Sequence, residues 1–75
     1  MPRQGPGYVS ENRLRDLVDG LSDPLTAEER AWCIREAVHF SEGGWRATDL
    51  EPLDDRTLAF EVLGAWWDYA RDNLP

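Results

Sequence analysis

The sequence has no lysine, only one cysteine and one histidine, and no apolar run long enough to span a membrane. A lone Cys33 cannot form an intramolecular disulfide, and one cysteine with one histidine cannot supply the ligand set of a structural zinc site. We therefore predict that the protein binds no metal and no cofactor. Because an apolar N-terminal signal region and a span of about 20 apolar residues are both lacking, we also expect a cytoplasmic protein without membrane partners.

The charge is strongly one-sided. Fifteen acidic residues face eight basic residues, all of them arginine, which gives a net charge of -7. The phosphates of nucleic acids repel such a surface, so we predict no direct nucleic-acid binding. A larger protein with a basic surface is the partner that this charge favours, and an ordinary solvated acidic surface is the alternative.

Seventy-five residues are enough for one domain, whose core buries only about 60% of the surface that the unfolded chain exposes. Folds this small often gain stability from disulfides, a metal ion or association with another chain. Since the composition argues against the first two, we expect association, either as a homodimer or with a larger protein. The segment from Met1 to Gly7 holds two prolines and two glycines, and we predict a flexible arm over residues 1–9 before one helical domain over residues 10–75.

Apolar periodicity predicts an all-α fold, a small three-helix domain with helices near residues 10–20, 26–41 and 55–72. Helices 2 and 3 are joined by an irregular connector from Trp45 to Pro52, whose apolar side chains we expect to contact the core. The apolar stripe of the first helix contains Leu14, Leu17, Val18 and Leu21.

Residues of N-cap type precede each predicted helix: Ser10 before the first, Thr26 before the second, and Asp54 or Asp55 before the third. Thr26 to Glu29 has the pattern of a capping box. Glycines follow the first two helices, at Gly20 and at the Gly43-Gly44 pair, and are typical of helix ends.

The third helix has a competing interpretation. From Thr57 to Val62, the large apolar residues Leu58, Phe60 and Val62 occur at every second position, which is the period of a strand. The aspartate caps and the length of the apolar pattern favour a helix instead. The apolar face of that helix consists of Leu58, Val62, Ala65, Trp66 and Tyr69. It is widened by Ala59, Leu63, Trp67, Ala70 and Leu74.

Two groups of residues could carry chemistry. Glu36 and His39 have the spacing of a carboxylate and an imidazole that reach one metal ion from a helix, and a dimer could pair two such motifs. The alternative is a solvated or hydrogen-bonded pair. Cys33 lies six residues from His39, on a different side of the helix, so we interpret it as a small buried apolar residue rather than a nucleophile. We predict no catalytic residue and no enzymatic activity.

The second helix is apolar on two sides, with Ala27, Ala31, Ile34 and Val38 on one and Trp32, Glu36, His39 and Phe40 on the other. Three short helices cannot easily shelter all four tryptophans, and tryptophan is enriched where proteins bind each other. We therefore predict that Trp32, Phe40 and Trp67 contact a partner. The alternative is that the helices pack tightly around the third helix and bury all of these rings.

A row of carboxylates accompanies these rings. Glu61, Asp68 and Asp72 follow one another along the third helix at i, i+7 and i+11. Such a row can imitate the phosphates of a nucleic acid and occupy a basic groove. A solvated helix face is the alternative.

Small size, acidity, surplus aromatic residues and the lack of enzyme motifs together predict a non-catalytic inhibitor or adaptor that occupies a basic, nucleic-acid-binding type of surface on a larger protein. In this general character the chain resembles the phage-encoded inhibitors of bacterial defence systems, anti-CRISPR proteins among them. The resemblance concerns no motif and assigns no site residue. The alternatives are a dimeric helical metal-binding protein that uses Glu36 and His39, and a small structural or regulatory subunit.

Overall fold

The computed structural model describes residues 5–72, which form an all-α fold. Its helices are α1 (Glu11–Val18), α2 (Ala27–Phe40), α3 (Ala47–Leu50) and α4 (Asp55–Asp72). The long α4 packs against both α1 and α2, while α3 touches α2. The all-α prediction is confirmed, and Thr57 to Val62 is helical rather than a strand. The connector, predicted to be irregular, contains the single turn of α3.

The helix starts follow from local sequence. The Ser10 side chain accepts a hydrogen bond from the first turn of α1. The Thr26 hydroxyl accepts from the backbone N–H of Glu29 at 3.1 Å, and the Glu29 carboxylate accepts from the backbone N–H of Thr26 at 2.9 Å, so the predicted capping box is present. Asp54 accepts from the Thr57 N–H at 2.9 Å. These side chains satisfy backbone donors that a helix start leaves unpaired.

The first helix is shorter than predicted. It ends at Val18, and Gly20, with φ of +76°, turns the chain away from the helical path. Leu21 consequently leaves the apolar stripe and is 77% exposed. Leu14 and Leu17 are buried, as the pattern predicts.

The core lies where α1, α2 and α4 meet. Its buried members are Val9, Leu14, Leu17, Leu25, Trp32, Cys33, Ala37, Leu50, Leu58, Ala59 and Val62. Trp45 and Leu53 pack against this core, which confirms the expected anchoring of the connector.

Trp32 is the main correction to the predicted surface. It is 4% exposed, so the prediction that it contacts a partner is wrong. Its ring meets those of Tyr8 and Trp66 edge to face, with centroids 5.3 Å and 6.1 Å away. The side of α2 that carries Trp32 faces the core, whereas Ala27 and Ala31 on the other side are exposed.

The predicted N-terminal arm also needs correction over its last residues. Tyr8 packs on the core and Val9 is 1% exposed, so these two residues belong to the folded domain. Gly7 crosses the first turn of α2 so closely that a Cβ there would lie 2.7 Å from the carbonyl carbon of Glu28. Residues 1–4, and Leu74 at the other end, lie outside the described residues.

Candidate partner-binding face

The side of α4 that points away from the core exposes two large aromatic side chains. Phe60 is 60% exposed and Trp67 is 65% exposed. They stand seven residues apart, two helical turns, and therefore share one side of α4. Gly64 lies between them, with open space where a side chain would be. We call Phe60, Leu63, Gly64 and Trp67 the outer face of α4.

A shallow groove runs along one edge of the outer face, where α4 lies beside α1. The outer face lines it from α4, and the opposite wall consists of Arg15 and Val18 of α1 and of Asp19, which directly follows α1. Arg15 makes an ion pair with Glu11 at 3.1 Å. Among residues 5–72, no hydrogen bond or ion pair engages the Asp19 side chain.

A cleft lies along the other edge of the outer face, between α4 and the end of α2. Its aromatic residues are Phe40, Trp45, Phe60 and Tyr69, and its carboxylates belong to Glu42, Glu61, Asp68 and Asp72. We call this the α2–α4 cleft. Phe60 and Gly64 border both the groove and the cleft, so the two form one continuous surface around α4.

The cleft brings together two groups of residues that are predicted to bind a partner. Phe40, at the last turn of α2, meets the carboxylate row of α4 there. The ring of Phe40 packs edge to face against Tyr69, with centroids 5.0 Å apart. Trp67 lies next to the cleft, in the groove, whereas Trp32 is in the core.

The sequence does not predict Phe60, Gly64, Trp45, Tyr69 or Glu42 as members of this surface. Phe60 was obscured because Leu58, Phe60 and Val62 alternate like a strand. In a helix, Phe60, Gly64 and Trp67 are spaced i, i+4 and i+7 and therefore lie on the side opposite Val62. This spacing could have identified them as exposed. Trp45 and Tyr69 were assigned to the core, but they also line the cleft.

The cleft has an excess of negative charge. Asp68 pairs with Arg71 at 2.8 Å, and both side chains are well exposed. Within the described part of the chain, Glu42, Glu61 and Asp72 have no ion pair and no side-chain hydrogen bond. The cleft thus holds four carboxylates against one guanidinium.

Glu36 and His39 do not form a metal site within residues 5–72, where no group of three or more His, Cys, Asp or Glu side chains is arranged to hold a metal ion. Glu36 is 1% exposed, so it is not solvated, while His39 is exposed. A metal site on these residues would require ligands from outside residues 5–72.

Cys33 is buried, as predicted. Burial raises the pKa of its thiol to about 12, and the carboxylate of Glu29 adds to this shift. The thiol therefore stays protonated at neutral pH and is a poor nucleophile.

No helix within residues 5–72 combines the length and apolar character needed to cross a membrane. Comparisons of the chain with models of protein families, with curated proteins and with solved structures gave no significant match.

Proposed function

We propose that the protein is a non-catalytic protein-binding module, an inhibitor or adaptor, that docks the outer face of α4 onto a basic surface of a larger protein. The observation that carries this proposal is the exposed pair Phe60 and Trp67, bordered by carboxylates on both sides. This arrangement fits an inhibitor of the phage anti-defence or anti-CRISPR type that occupies a nucleic-acid-binding surface.

The two rings provide the apolar contact. Fully burying a large apolar side chain contributes about 1.5–3 kcal/mol. Aromatic residues offer much area with few rotatable bonds, which is why they are enriched at the energetic centres of interfaces. The gap above Gly64 lets a partner's side chain or backbone come close to α4 between the rings.

The carboxylates favour a basic partner. Asp19 lies on the groove side of the rings, and Glu61, Asp68 and Asp72 lie on the cleft side. Together with the net charge of -7, they attract a basic surface and speed its encounter with α4.

The same charges argue against a second copy as the occupant of this face. In a symmetric antiparallel pair of α4 helices centred on Gly64, the carboxylate rows of both copies run along the same side of the interface. Glu61 lies three residues before Gly64 and Asp68 lies four residues after it. In the antiparallel pair, Glu61 of one copy therefore lies close to Asp68 of the other. A homodimer of this geometry is therefore repulsive, whereas a complex with a basic partner is not.

The proposal is tested by affinity capture from the cells that naturally express the protein, with three baits compared. The first is the wild type, the second carries Phe60→Ser with Trp67→Ser, and the third carries Leu21→Ser with Ala31→Ser as a control. Leu21 and Ala31 are exposed and lie outside both the groove and the cleft. We expect one protein to be captured by the wild type and the control but not by the second bait. Equal capture by all three baits would refute the proposal.

A further inference from the structure

We propose that the α2–α4 cleft holds an arginine side chain of the partner protein. This inference rests on the proposed function, since it assumes a protein partner, and it names the chemical group that the cleft recognises. Three features of the cleft, each of different origin, favour a guanidinium there.

The first feature is the set of carboxylates without a partner. Arg71 pairs with Asp68, which leaves Glu42, Glu61 and Asp72 around the cleft with no cation of their own among the described residues. A guanidinium from outside can donate several hydrogen bonds to such carboxylates at once. The cleft therefore has both the charge and the acceptors that an arginine needs.

The second feature is the aromatic lining. Phe40, Trp45, Phe60 and Tyr69 line the same cleft. Cations are attracted to aromatic faces, and a planar guanidinium also stacks on them, which an ammonium cannot do. Phe60 and Tyr69 are exposed, so their rings are accessible to a cation that the neighbouring carboxylates attract.

The third feature is the end of α2. This 14-residue helix finishes at Phe40 and is followed by Ser41, and both residues line the cleft. The C-terminal end of a helix carries a partial negative charge and favours a nearby cation. The loop that follows is fixed, because the Ser41 hydroxyl donates to the Val38 carbonyl at 3.1 Å and accepts from the Trp45 N–H at 3.0 Å.

The test uses two capped peptides, hexa-arginine and hexalysine, titrated into the full-length protein and followed by calorimetry and by NMR. We expect hexa-arginine to bind at least threefold more tightly than hexalysine. We also expect its largest shifts in the backbone around Phe40 to Trp45 and in the second half of α4. Equal affinity for the two peptides, which carry the same charge, would overturn the proposal.

Paired variants separate the cleft from the net charge. Glu61→Gln with Asp72→Asn removes two cleft carboxylates, and Asp16→Asn with Glu28→Gln removes two exposed carboxylates elsewhere. The side chains of Glu61 and Asp72 make no hydrogen bond or ion pair in the described fold, so the cleft variant should fold normally, which circular dichroism checks. We expect the cleft variant to lose at least tenfold more affinity for hexa-arginine than the control. Equal losses would overturn the proposal.

The two proposals can fail separately. If hexa-arginine shows no preference for the cleft while the Phe60→Ser/Trp67→Ser bait still loses its captured protein, the arginine site is refuted and the partner-binding face stands. If that bait keeps its captured protein, the proposed function fails as well.

Discussion

The guanidinium of Arg30 donates from Nη1 to Oδ1 of Asp55 at 2.7 Å and so joins the first half of α2 to the first residue of α4. Its other terminal nitrogen donates to the carbonyl oxygens of Leu53 and Glu51, at 2.7 Å and 3.1 Å. The second carboxylate oxygen of Asp55 accepts from the backbone N–H of Leu25 at 2.8 Å. This network fixes where α4 begins and therefore which of its sides faces outward.

We expect Arg30→Ala to lower the free energy of unfolding by about 1.5–3 kcal/mol, because it removes charge-assisted hydrogen bonds that are partly shielded from water. The control is Arg71→Ala, which breaks the exposed pair with Asp68 and should cost less than about 1 kcal/mol. Urea denaturation measures both. Equal losses would show that the Arg30 network does not hold α4 in place.

The aromatic residues should divide into core and surface. Trp32→Ala empties a buried site and should cost about 3–5 kcal/mol, enough to leave much of so small a protein unfolded. Trp67→Ala, at a residue 65% exposed, should change stability by no more than about 0.5 kcal/mol. Urea denaturation followed by circular dichroism compares the two. A large loss of stability in Trp67→Ala would mean that this ring stabilises the fold and is not an exposed binding residue.

Two glycines should respond to alanine in opposite directions. Gly7 has φ of +80° and passes against the backbone of Glu28, so Gly7→Ala should destabilise the protein by about 1–3 kcal/mol. Gly64 lies inside α4 with open space around it, so Gly64→Ala should stabilise the protein by up to about 1 kcal/mol. Thermal unfolding measures both changes. Stabilisation by Gly7→Ala would contradict the close approach of the N-terminal segment to α2.

Glu29 makes the capping box sensitive to acid. The hydrogen bond from the Thr26 backbone, helped by the guanidinium of Arg13, holds the pKa of Glu29 below its ordinary value of 4.5. A carboxyl whose pKa is lower in the folded state adds stability above its unfolded pKa and loses it as the pH falls through the folded value. The wild type should therefore be more stable than Glu29→Gln at pH 7, and the difference should shrink below about pH 4.5. Urea titrations at pH 7, 4 and 3 check this, and a constant difference would contradict it.

Local features of this fold could be predicted from sequence, and contacts between distant segments could not. Ser10, Thr26 and Asp54 each cap a helix through a backbone group three residues away, so their roles can be recognised in a short stretch of sequence. The pairing of Arg30 with Asp55 spans 25 residues and has no local pattern.

The difference between local and distant contacts also explains which parts of the candidate site could be predicted from sequence. Trp32 was expected at the surface because its burial depends on Tyr8, in a segment without periodicity, and on Trp66, far along the chain. The carboxylate row of α4 could be predicted because it lies within one helix. That Phe40 and Trp45 meet this row depends on how α2 packs against α4, which helical periodicity does not specify.

Binding of another protein to the outer face of α4 can be tested in cells by site-specific photocrosslinking. The photoreactive residue benzoylphenylalanine replaces Trp67 in one form of the protein and Thr48, an exposed residue outside the groove and cleft, in another. Both are illuminated in the cells that naturally express the protein. We expect one defined protein adduct from position 67 and none from position 48. No adduct from position 67, or the same adducts from both positions, would contradict it.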